Sequence, residues 1–434
     1  MDNESRINIV DAPCGYGKTS WAIKTMNEAS VDTHRFIYVT PFLEEIERIK
    51  SHVKDRKFEE PTIIKGETKL SDLHRLLKKG ADICTTHALF KRANKETREL
   101  IQSQNYTLIL DEVMDVIEQI ELEKDDYNLL VESNLIFLES YKDKIELVKW
   151  NDTKKDYQTR YDDIRNMALS GNLVFCNKSA FIWNFPVDMF SIFKHVYLLT
   201  YLFKGQKQKY YFDLHEVKYR YLSVTQNEES YEIVPYDKRM IHDKSKIKSL
   251  INVYEGDLNK VGEKPNSLSK TWYSKSQYSP AVKKVSDNAR NFLQNMNKAK
   301  SDDSMWTVFK GEKDKIMKKV QPRGYAGGFV SVTERATNKY KDRYNLAYLV
   351  NRYMHVMEER FFQLHGVDVD RHTWAVSELI QWIWRSRIRD GKPINLYIPS
   401  KRMRNLLYQY LNSDDFEKPP KGAITDQYDS DWSM

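Results

Sequence analysis

The sequence predicts an α/β protein in which mainly parallel sheets are flanked by helices. Apolar, β-branched runs at 7–11, 35–40 and 106–110 alternate with amphipathic segments of helical periodicity in the first half of the chain. A second series of alternating elements begins near residue 210. Because strands that alternate with helices favour parallel sheets covered on both faces, we expect two such domains.

Composition excludes several classes of protein. The chain has 434 residues, of which 41% are hydrophobic and 30% are charged, as in ordinary folded domains. No apolar run approaches the roughly 18 residues that a membrane-spanning helix needs. We therefore expect no membrane partner. The three cysteines lie too far apart in sequence for a metal or disulfide framework, which favours a reducing cytoplasm. The net charge of +7 permits a polyanionic partner without requiring one.

A phosphate-binding loop is the most specific motif in the chain. The predicted strand 7–11 is followed by Ala12-Pro13-Cys14-Gly15-Tyr16-Gly17-Lys18-Thr19-Ser20, after which helical character begins. A strand, a glycine-containing loop and a helix in this order form a P-loop, whose backbone N–H groups surround phosphate oxygens. We expect Lys18 to reach the β- and γ-phosphates of ATP, and the Thr19 hydroxyl to hold Mg²⁺.

An acidic pair at the end of a second strand is predicted to complete this site. The apolar run 106–110 ends in Asp111-Glu112. Carboxylates that follow a parallel strand emerge at the edge of the sheet where ligands bind. We expect Asp111 to ligate Mg²⁺, directly or through water, and Glu112 to orient and deprotonate the attacking water. The two motifs together predict hydrolysis of a nucleoside triphosphate.

Short segments in a fixed order surround these motifs. "VTPF" at 39–42, "KGE" at 65–67 and "ICTTHALF" at 83–90 lie between the P-loop and "LILDE" at 108–112. This order resembles the first motor domain of superfamily-two helicases of the DEAD/DEAH type. The resemblance implies two RecA-like P-loop NTPase domains with ATP and Mg²⁺ as cofactors. It also implies backbone contacts with nucleic acid from the loops that carry Thr40, Pro41, Gly66, Thr85 and Thr86.

Two further segments of the first half are less specific. The strand at 195–203 contains "LLTYLF", in which Thr200 resembles the helicase element that couples the ATP state to nucleic acid. A plain buried strand explains the same residues. The segment from about 116 to 170 is highly charged, and we expect a mainly helical insertion with one strand at Ile145–Trp150.

The second half carries a glutamine and two arginines at helical spacing. An apolar stripe predicts one helix over Trp374–Gly391, and Gln381, Arg385 and Arg389 are four residues apart on another face of it. This set resembles the last helicase motif, Gln-x-x-Gly-Arg-x-x-Arg, whose arginines reach the γ-phosphate across the cleft. A solvated basic helix face is the alternative interpretation.

The match departs from the family pattern at two positions. Trp384 replaces the glycine, and Ile388 stands where the second arginine belongs, so Arg389 becomes the expected second finger. Residues Thr333-Glu334-Arg335-Ala336-Thr337-Asn338 resemble the helicase motif that comes before this last one in the family. By that resemblance, Thr333 is expected to contact nucleic acid. The form "RATN-x-Y" is similar to helicase-like proteins of bacteriophages, which suggests a phage origin and a host-cytoplasmic location.

These observations predict a first domain at 1–205 that includes the 116–170 insertion, a second domain at 206–411 and a mobile tail at 412–434. The basic segment 204–209 is the expected hinge. The predicted function is that of an ATP-dependent nucleic-acid helicase or translocase of superfamily two. We expect a monomer that acts on DNA more than on RNA, in replication or recombination, with partner proteins from those processes. The alternative is a nucleic-acid-stimulated ATPase that clamps or remodels DNA without unwinding, in a regulatory or origin-binding role. A phage packaging motor would need a nuclease carboxylate cluster, which the sequence does not suggest.

Overall fold

The structure is a computed structural model that describes residues 6–13, 15–64, 66–227, 230–236, 244–310, 315–333 and 339–413. These residues form three sheets with helices packed around them. Every helix among them is too short or too polar to cross a lipid bilayer.

The strands and helices alternate through most of the chain. In chain order the strands are β1 (Ile7–Asp11), β2 (Arg35–Thr40), β3 (Phe58–Glu59), β4 (Asp82–Thr86), β5 (Tyr106–Asp111), β6 (Ile117–Ile120), β7 (Ile136–Lys142), β8 (Ile145–Trp150), β9 (Leu173–Cys176), β10 (Ala180–Asn184), β11 (His195–Thr200), β12 (Tyr219–Gln226), β13 (Tyr231–Pro235), β14 (Ile251–Val253), β15 (Ser304–Thr307), β16 (Asn345–Tyr348) and β17 (Ile394–Tyr397). The α-helices are α1 (Lys18–Glu28), α2 (Leu43–His52), α3 (Lys69–Lys79), α4 (His87–Phe90), α5 (Lys95–Ser103), α6 (Lys124–Glu132), α7 (Asp162–Leu169), α8 (Lys207–Leu214), α9 (Lys244–Leu250), α10 (Lys270–Ser274), α11 (Ser279–Arg290), α12 (Lys315–Val320), α13 (Val356–Leu364), α14 (Arg371–Ile383) and α15 (Lys401–Asn412).

The first sheet has the strand order β13-β12-β1-β11-β5-β2-β4-β3. All neighbouring strands are parallel except the β12–β13 pair. Both faces are buried: Ile9 and Leu108 face one core, whereas Val10 and Ile109 face another. Burial on two faces explains why these strands are apolar almost throughout instead of alternating with polar residues.

The middle sheet corrects the expected helical insertion. Between the first sheet's β5 and β11, an antiparallel sheet has the order β6-β10-β9-β8-β7. The α-helices of this segment are α6 and α7, and two short 3₁₀ turns accompany them. The predicted strand at 145–150 is confirmed as β8. It forms a hairpin with β7, which turns through Lys144 at a φ of 57°. Most of edge strand β7 is exposed, and a charged, exposed strand has no apolar periodicity that distinguishes it from a helix surface.

The third sheet is wholly parallel, with the order β14-β17-β16-β15. Its strands and helices share a continuous hydrophobic core with one face of the first sheet and with the middle sheet. The predicted α/β class with two mainly parallel sheets is therefore confirmed.

The division at residue 205 is not where the first sheet ends. β12 and β13 follow this residue and still pair with the first sheet, so that sheet extends to Pro235. The expected hinge segment at 204–209 contacts the second domain. A Cβ on Gly205 would come within 2.6 Å of the Thr373 carbonyl oxygen, and Lys207 pairs with Glu358 at 3.1 Å. Except for residues 412 and 413, the predicted tail lies outside the described residues, and α15 continues to Asn412.

Candidate nucleotide-binding site

Three neighbouring strands deliver the predicted nucleotide-binding residues to one edge of the first sheet. β11 lies between β1 and β5, with Asp11 level with Thr200, and Leu199 level with Asp111. The backbone N–H of Glu112 donates to the Leu199 carbonyl at 2.9 Å. The P-loop, Thr200 and the acidic pair therefore meet at the carboxyl edge of the parallel strands, where α/β proteins bind ligands.

The P-loop has a backbone suited to an anion. Gly15 and Gly17 adopt φ values of 86° and 85°, which side chains disfavour. α1 begins at Lys18 with no side-chain cap and no acidic residue in its first turn, so its N–H groups can receive phosphate. The buried Lys18 ammonium donates to the carbonyls of Ala12 at 2.6 Å and Pro13 at 3.1 Å. A phosphate oxygen can replace one of these carbonyls as its partner.

The remaining loop residues differ in exposure. Tyr16 is exposed, whereas Thr19 and Ser20 are half-buried in the first turn of α1. Sequence reasoning missed Tyr231, at the start of β13, whose ring packs directly on Gly17. A Cβ on Gly17 would overlap that ring, so glycine is needed here for close approach as well as for its φ.

Asp111 lies in an environment that favours its protonated form. Burial raises the pKa of the Asp111 carboxyl to about 7, and the nearby charges of Glu112 and Glu45 act in the same direction. The Lys18 ammonium opposes this shift. A cation at this edge would restore the carboxylate, because a metal ion is the largest local charge in such a site.

Glu112 is held in an unusual backbone conformation. Its φ is 65°, a left-handed value that costs free energy for a residue with a side chain. Its Oε2 atom is buried and has no hydrogen-bond partner among the described residues. Strain and an unsatisfied buried acceptor are features of functional sites, and they fit a residue that receives a hydrogen bond from water.

The carboxylates fit a metal ion that arrives with a nucleotide. Within the described residues, no group of three or more His, Cys, Asp or Glu side chains could hold a metal. Mg²⁺ commonly uses one or two protein oxygens, several waters and substrate phosphates. Thr19 and Asp111 fit this mode, in which the nucleotide supplies the missing oxygens.

Asp11 is a second residue that the sequence did not single out. Its buried carboxylate accepts the backbone N–H groups of Leu202 at 2.9 Å and Phe203 at 3.0 Å. Burial raises the pKa of Asp11 to about 6, although these bonds and the Lys18 charge act against the shift. Asp11 thus links the P-loop strand to the segment after Thr200. An acidic residue at the last position of a buried strand, directly before the P-loop, was the available signal.

The residues expected to contact nucleic acid fall into two groups. Thr40, Thr85 and Thr200 are buried, and their hydroxyls have no hydrogen-bond partner among the described residues. Their side chains therefore do not reach the surface in this conformation. Thr40 and Thr85 could then contact nucleic acid only through their backbone atoms. The accessible group is Pro41, Gly66, Thr86 and Thr333, of which Thr86 caps α4 through the Leu89 N–H at 3.3 Å. Residues 334–338 of the "TERATN" motif lie outside the described residues.

The predicted helix over 374–391 is wrong at its C-terminal end. α14 stops at Ile383, Ser386 is extended, and a separate 3₁₀ turn covers Arg387–Asp390. The Ser386 hydroxyl donates to the Ile383 carbonyl at 2.7 Å, so a local side-chain bond competes with continuation of the helix. Gln381, Arg385 and Arg389 consequently do not share one helix face.

The arginines have different surroundings. The buried Arg385 guanidinium donates to the Ser331 carbonyl at 3.2 Å, which connects it to the segment that carries Thr333. The 3₁₀ turn lies against the P-loop, because a Cβ on Gly15 would come within 3.3 Å of the Arg389 carbonyl oxygen. The Arg387 guanidinium stacks within the second domain on the ring of Tyr344, 4.1 Å from the ring centroid. Gln381 is half-buried, and its Nε2 has no hydrogen-bond partner among the described residues.

The fold resembles solved helicase structures over almost its full length. The structure of S. tokodaii Xpd4 superposes on this chain with a TM-score of 0.51 and 12% identity. The match covers 95% of this chain and 95% of Xpd4. An apo form of XPD covers 93% of this chain, again with a TM-score of 0.51 and 12% identity, over 95% of its own chain. Residues 1–134 also match the family of the type III restriction enzyme res subunit. The fold and the phosphate site thus define a protein of the superfamily-two helicase class with two RecA-like domains.

The particular family follows from the other comparisons. Residues 117–183 match the YonV middle domain, and residues 245–411 match the YonV C-terminal Rossmann-like domain. The SPbeta prophage-derived uncharacterized protein YonV of Bacillus subtilis (strain 168) is 41% identical over 420 residues, which cover 94% of this chain and 99% of that protein. The chain belongs to the YonV family. The expected resemblance to superfamily-two helicases is confirmed, and the prophage relative supports a phage origin.

Proposed function

We propose that this chain is an ATP-dependent nucleic-acid translocase or helicase that acts on DNA in phage replication or recombination. The observation that carries the proposal is the meeting of three parts at one sheet edge. The P-loop, the Asp111–Glu112 pair and the 3₁₀ turn of the second domain converge there. A two-domain cleft with these parts is suited to couple phosphate hydrolysis to domain movement.

Each residue has a distinct role in this proposal. Lys18 binds the β- and γ-phosphates, and Thr19 and Asp111 hold Mg²⁺. When bound by these residues, Mg²⁺ would supply positive charge beside the phosphoryl oxygens. Glu112 accepts a proton from the water that attacks the γ-phosphate, since its Oε2 is free of protein partners among the described residues.

The second domain contributes arginines when the cleft closes. Arg389 is the nearer candidate finger, because its backbone already touches Gly15. The Arg385 guanidinium donates to the Ser331 carbonyl. Movement of Arg385 on cleft closure would therefore shift the segment that carries Thr333. Thr200 and Asp11 connect the P-loop strand to the domain contact at Gly205.

The proposal is tested by measuring ATP turnover with single-stranded DNA, duplex DNA and RNA, together with strand displacement from a tailed duplex. We expect DNA to stimulate turnover more than RNA, and displacement to require ATP. Lys18→Ala is the matched control, which removes the P-loop cation and should abolish both activities. Turnover that no nucleic acid stimulates would refute the proposal. Stimulated turnover without displacement would favour the alternative, an ATPase that clamps or remodels DNA without unwinding it.

A further inference from the structure

The positive charge of the chain is concentrated in its C-terminal domain. Residues 245–411 contain 31 lysines and arginines against 16 acidic residues, whereas the whole chain has 69 against 62. The rest of the chain is therefore net acidic. A domain with this excess of one sign has a potential that attracts polyanions.

Two helices of this domain pack side by side through their apolar sides. Val282 and Val285 of α11, and Ile316 and Val320 of α12, are buried in the common core. The hydroxyl of Ser286 on α11 donates at 2.9 Å to the carbonyl of residue 321, just after α12. Because the apolar sides face the core, the remaining sides of both helices form one continuous outer surface.

This outer surface is almost entirely basic. We call it the basic helix face. Its cationic residues lie on the two helices and, for the last of them, in the turn directly after α12. All are exposed, and none of them forms an ion pair with another described residue: Lys283, Lys284, Lys315, Lys318, Lys319 and Arg323. Asp287 is the one acidic residue that α11 and α12 expose. Cations at this density that have no ion-pair partner among the described residues repel one another, so an anionic partner would relieve an unfavourable interaction.

The composition of the surface favours nucleic acid over an acidic protein. Protein interfaces depend on large apolar or aromatic anchors, and none of the exposed large hydrophobic side chains of the described residues lies on α11 or α12. Nucleic-acid interfaces are instead polar and strongly positive, and lysines contact phosphates without regard to sequence.

We propose that the basic helix face binds the phosphate backbone of nucleic acid, as a contact separate from the motif-bearing loops at the interdomain cleft. This inference rests on the proposed function, since it assumes that the chain binds nucleic acid. The face belongs to one domain alone, so its contacts can persist while the cleft opens and closes. It would retain the strand between ATP-driven steps.

The test compares two fourfold lysine-to-glutamine variants of the full chain. One carries Lys283→Gln, Lys284→Gln, Lys318→Gln and Lys319→Gln. The control removes the same charge from exposed lysines of the middle domain, with Lys142→Gln, Lys144→Gln, Lys155→Gln and Lys178→Gln. A fourfold lysine-to-arginine variant of the basic helix face tests whether charge alone restores binding. The measured quantities are the affinities for a fluorescent single-stranded DNA and for a fluorescent RNA of the same sequence, each as a function of salt concentration.

We expect the slope of log affinity against log salt to become shallower by about 3 in the first variant, since each lost phosphate contact on a single strand removes roughly 0.7. The control variant and the arginine variant should keep the wild-type slope. An unchanged slope in the first variant, with DNA and RNA alike, would overturn the inference and point to an acidic protein partner. A wild-type protein that binds neither nucleic acid would instead overturn the proposed function.

Discussion

Replacing Asp11 with asparagine should shift the stability of the variant, relative to that of the wild type, in favour of the variant as the pH rises. It should also weaken the coupling between nucleic-acid binding and ATP turnover. The buried carboxylate accepts two backbone N–H groups, those of Leu202 and Phe203, from the segment that follows Thr200. Asparagine cannot ionise and offers one acceptor oxygen instead of two. The substitution therefore removes a costly buried charge and also one bond that fixes the coupling segment.

The magnitude follows from the pKa of Asp11, which burial raises from 3.8 to about 6. Because the folded-state pKa is the higher one, the folded protein binds more protons than the unfolded chain between these values, and the wild type loses stability as pH rises through them. A difference of about 2 units corresponds to about 3 kcal/mol at 1.36 kcal/mol per unit. The lost hydrogen bond costs about 1–3 kcal/mol at every pH.

The variant should therefore be less stable than the wild type near pH 4.5 and close to it, or more stable, at pH 8. Thermal unfolding at several pH values measures this change, and 3 kcal/mol corresponds to about 6–12 °C for a domain of 150–250 residues. The ratio of nucleic-acid-stimulated to basal ATP turnover should fall several-fold in the same variant. A stability difference that does not depend on pH would refute the assignment of a costly charge to Asp11.

Asp72→Asn is the matched control, since Asp72 is also a buried aspartate. Burial acts to raise the pKa of Asp72, but the Thr62 N–H and the Arg75 guanidinium outweigh it and hold this pKa below 3.8. Folded and unfolded forms are then both ionised above pH 5. The stability difference for this variant should be constant from pH 5 to pH 8, unlike that for Asp11→Asn.

Three further predictions concern the nucleotide site. Glu112→Gln should retain ATP binding and lose about 10²–10⁴-fold in turnover, measured by phosphate release, because it loses the general base; near wild-type turnover would contradict this role. Arg389→Ala should reduce turnover far more than Arg387→Ala, since Arg387 is stacked within its own domain, and the reverse order in a steady-state assay would transfer the finger to Arg387. Gly17→Ala should lower the unfolding temperature and abolish nucleotide binding, because the added Cβ meets the Tyr231 ring at a positive φ; wild-type binding would show that this contact yields easily.

Local sequence was sufficient to predict the P-loop and the acidic pair. Gly15, Gly17 and Lys18 follow a strand directly, and the loop geometry depends only on a few consecutive residues. Asp111 and Glu112 end an apolar run, and any parallel sheet would bring such a pair to the same edge as the P-loop. These features are short-range, so periodicity and turn chemistry determine them.

The middle sheet could not be predicted by the same means. β7 is an edge strand with a mostly exposed, charged surface, and charge alone does not distinguish an exposed strand from an exposed helix. The return of β12 to the first sheet depends on its pairing with β1, more than 200 residues earlier in the chain. Such pairings are decided by which edge remains available once the other strands have packed.

The α/β class, the phosphate loop, the acidic pair and the helicase resemblance could be read from residues along the chain, because each is encoded in a contiguous segment. Which polar residues share an environment depended on how distant segments pack together. That packing buried Thr40 and Thr85, joined Asp11 to the segment after Thr200, and ended α14 before Arg385. The physical reason is that burial and hydrogen-bond partners depend on contacts between distant segments, which periodicity along the chain does not encode.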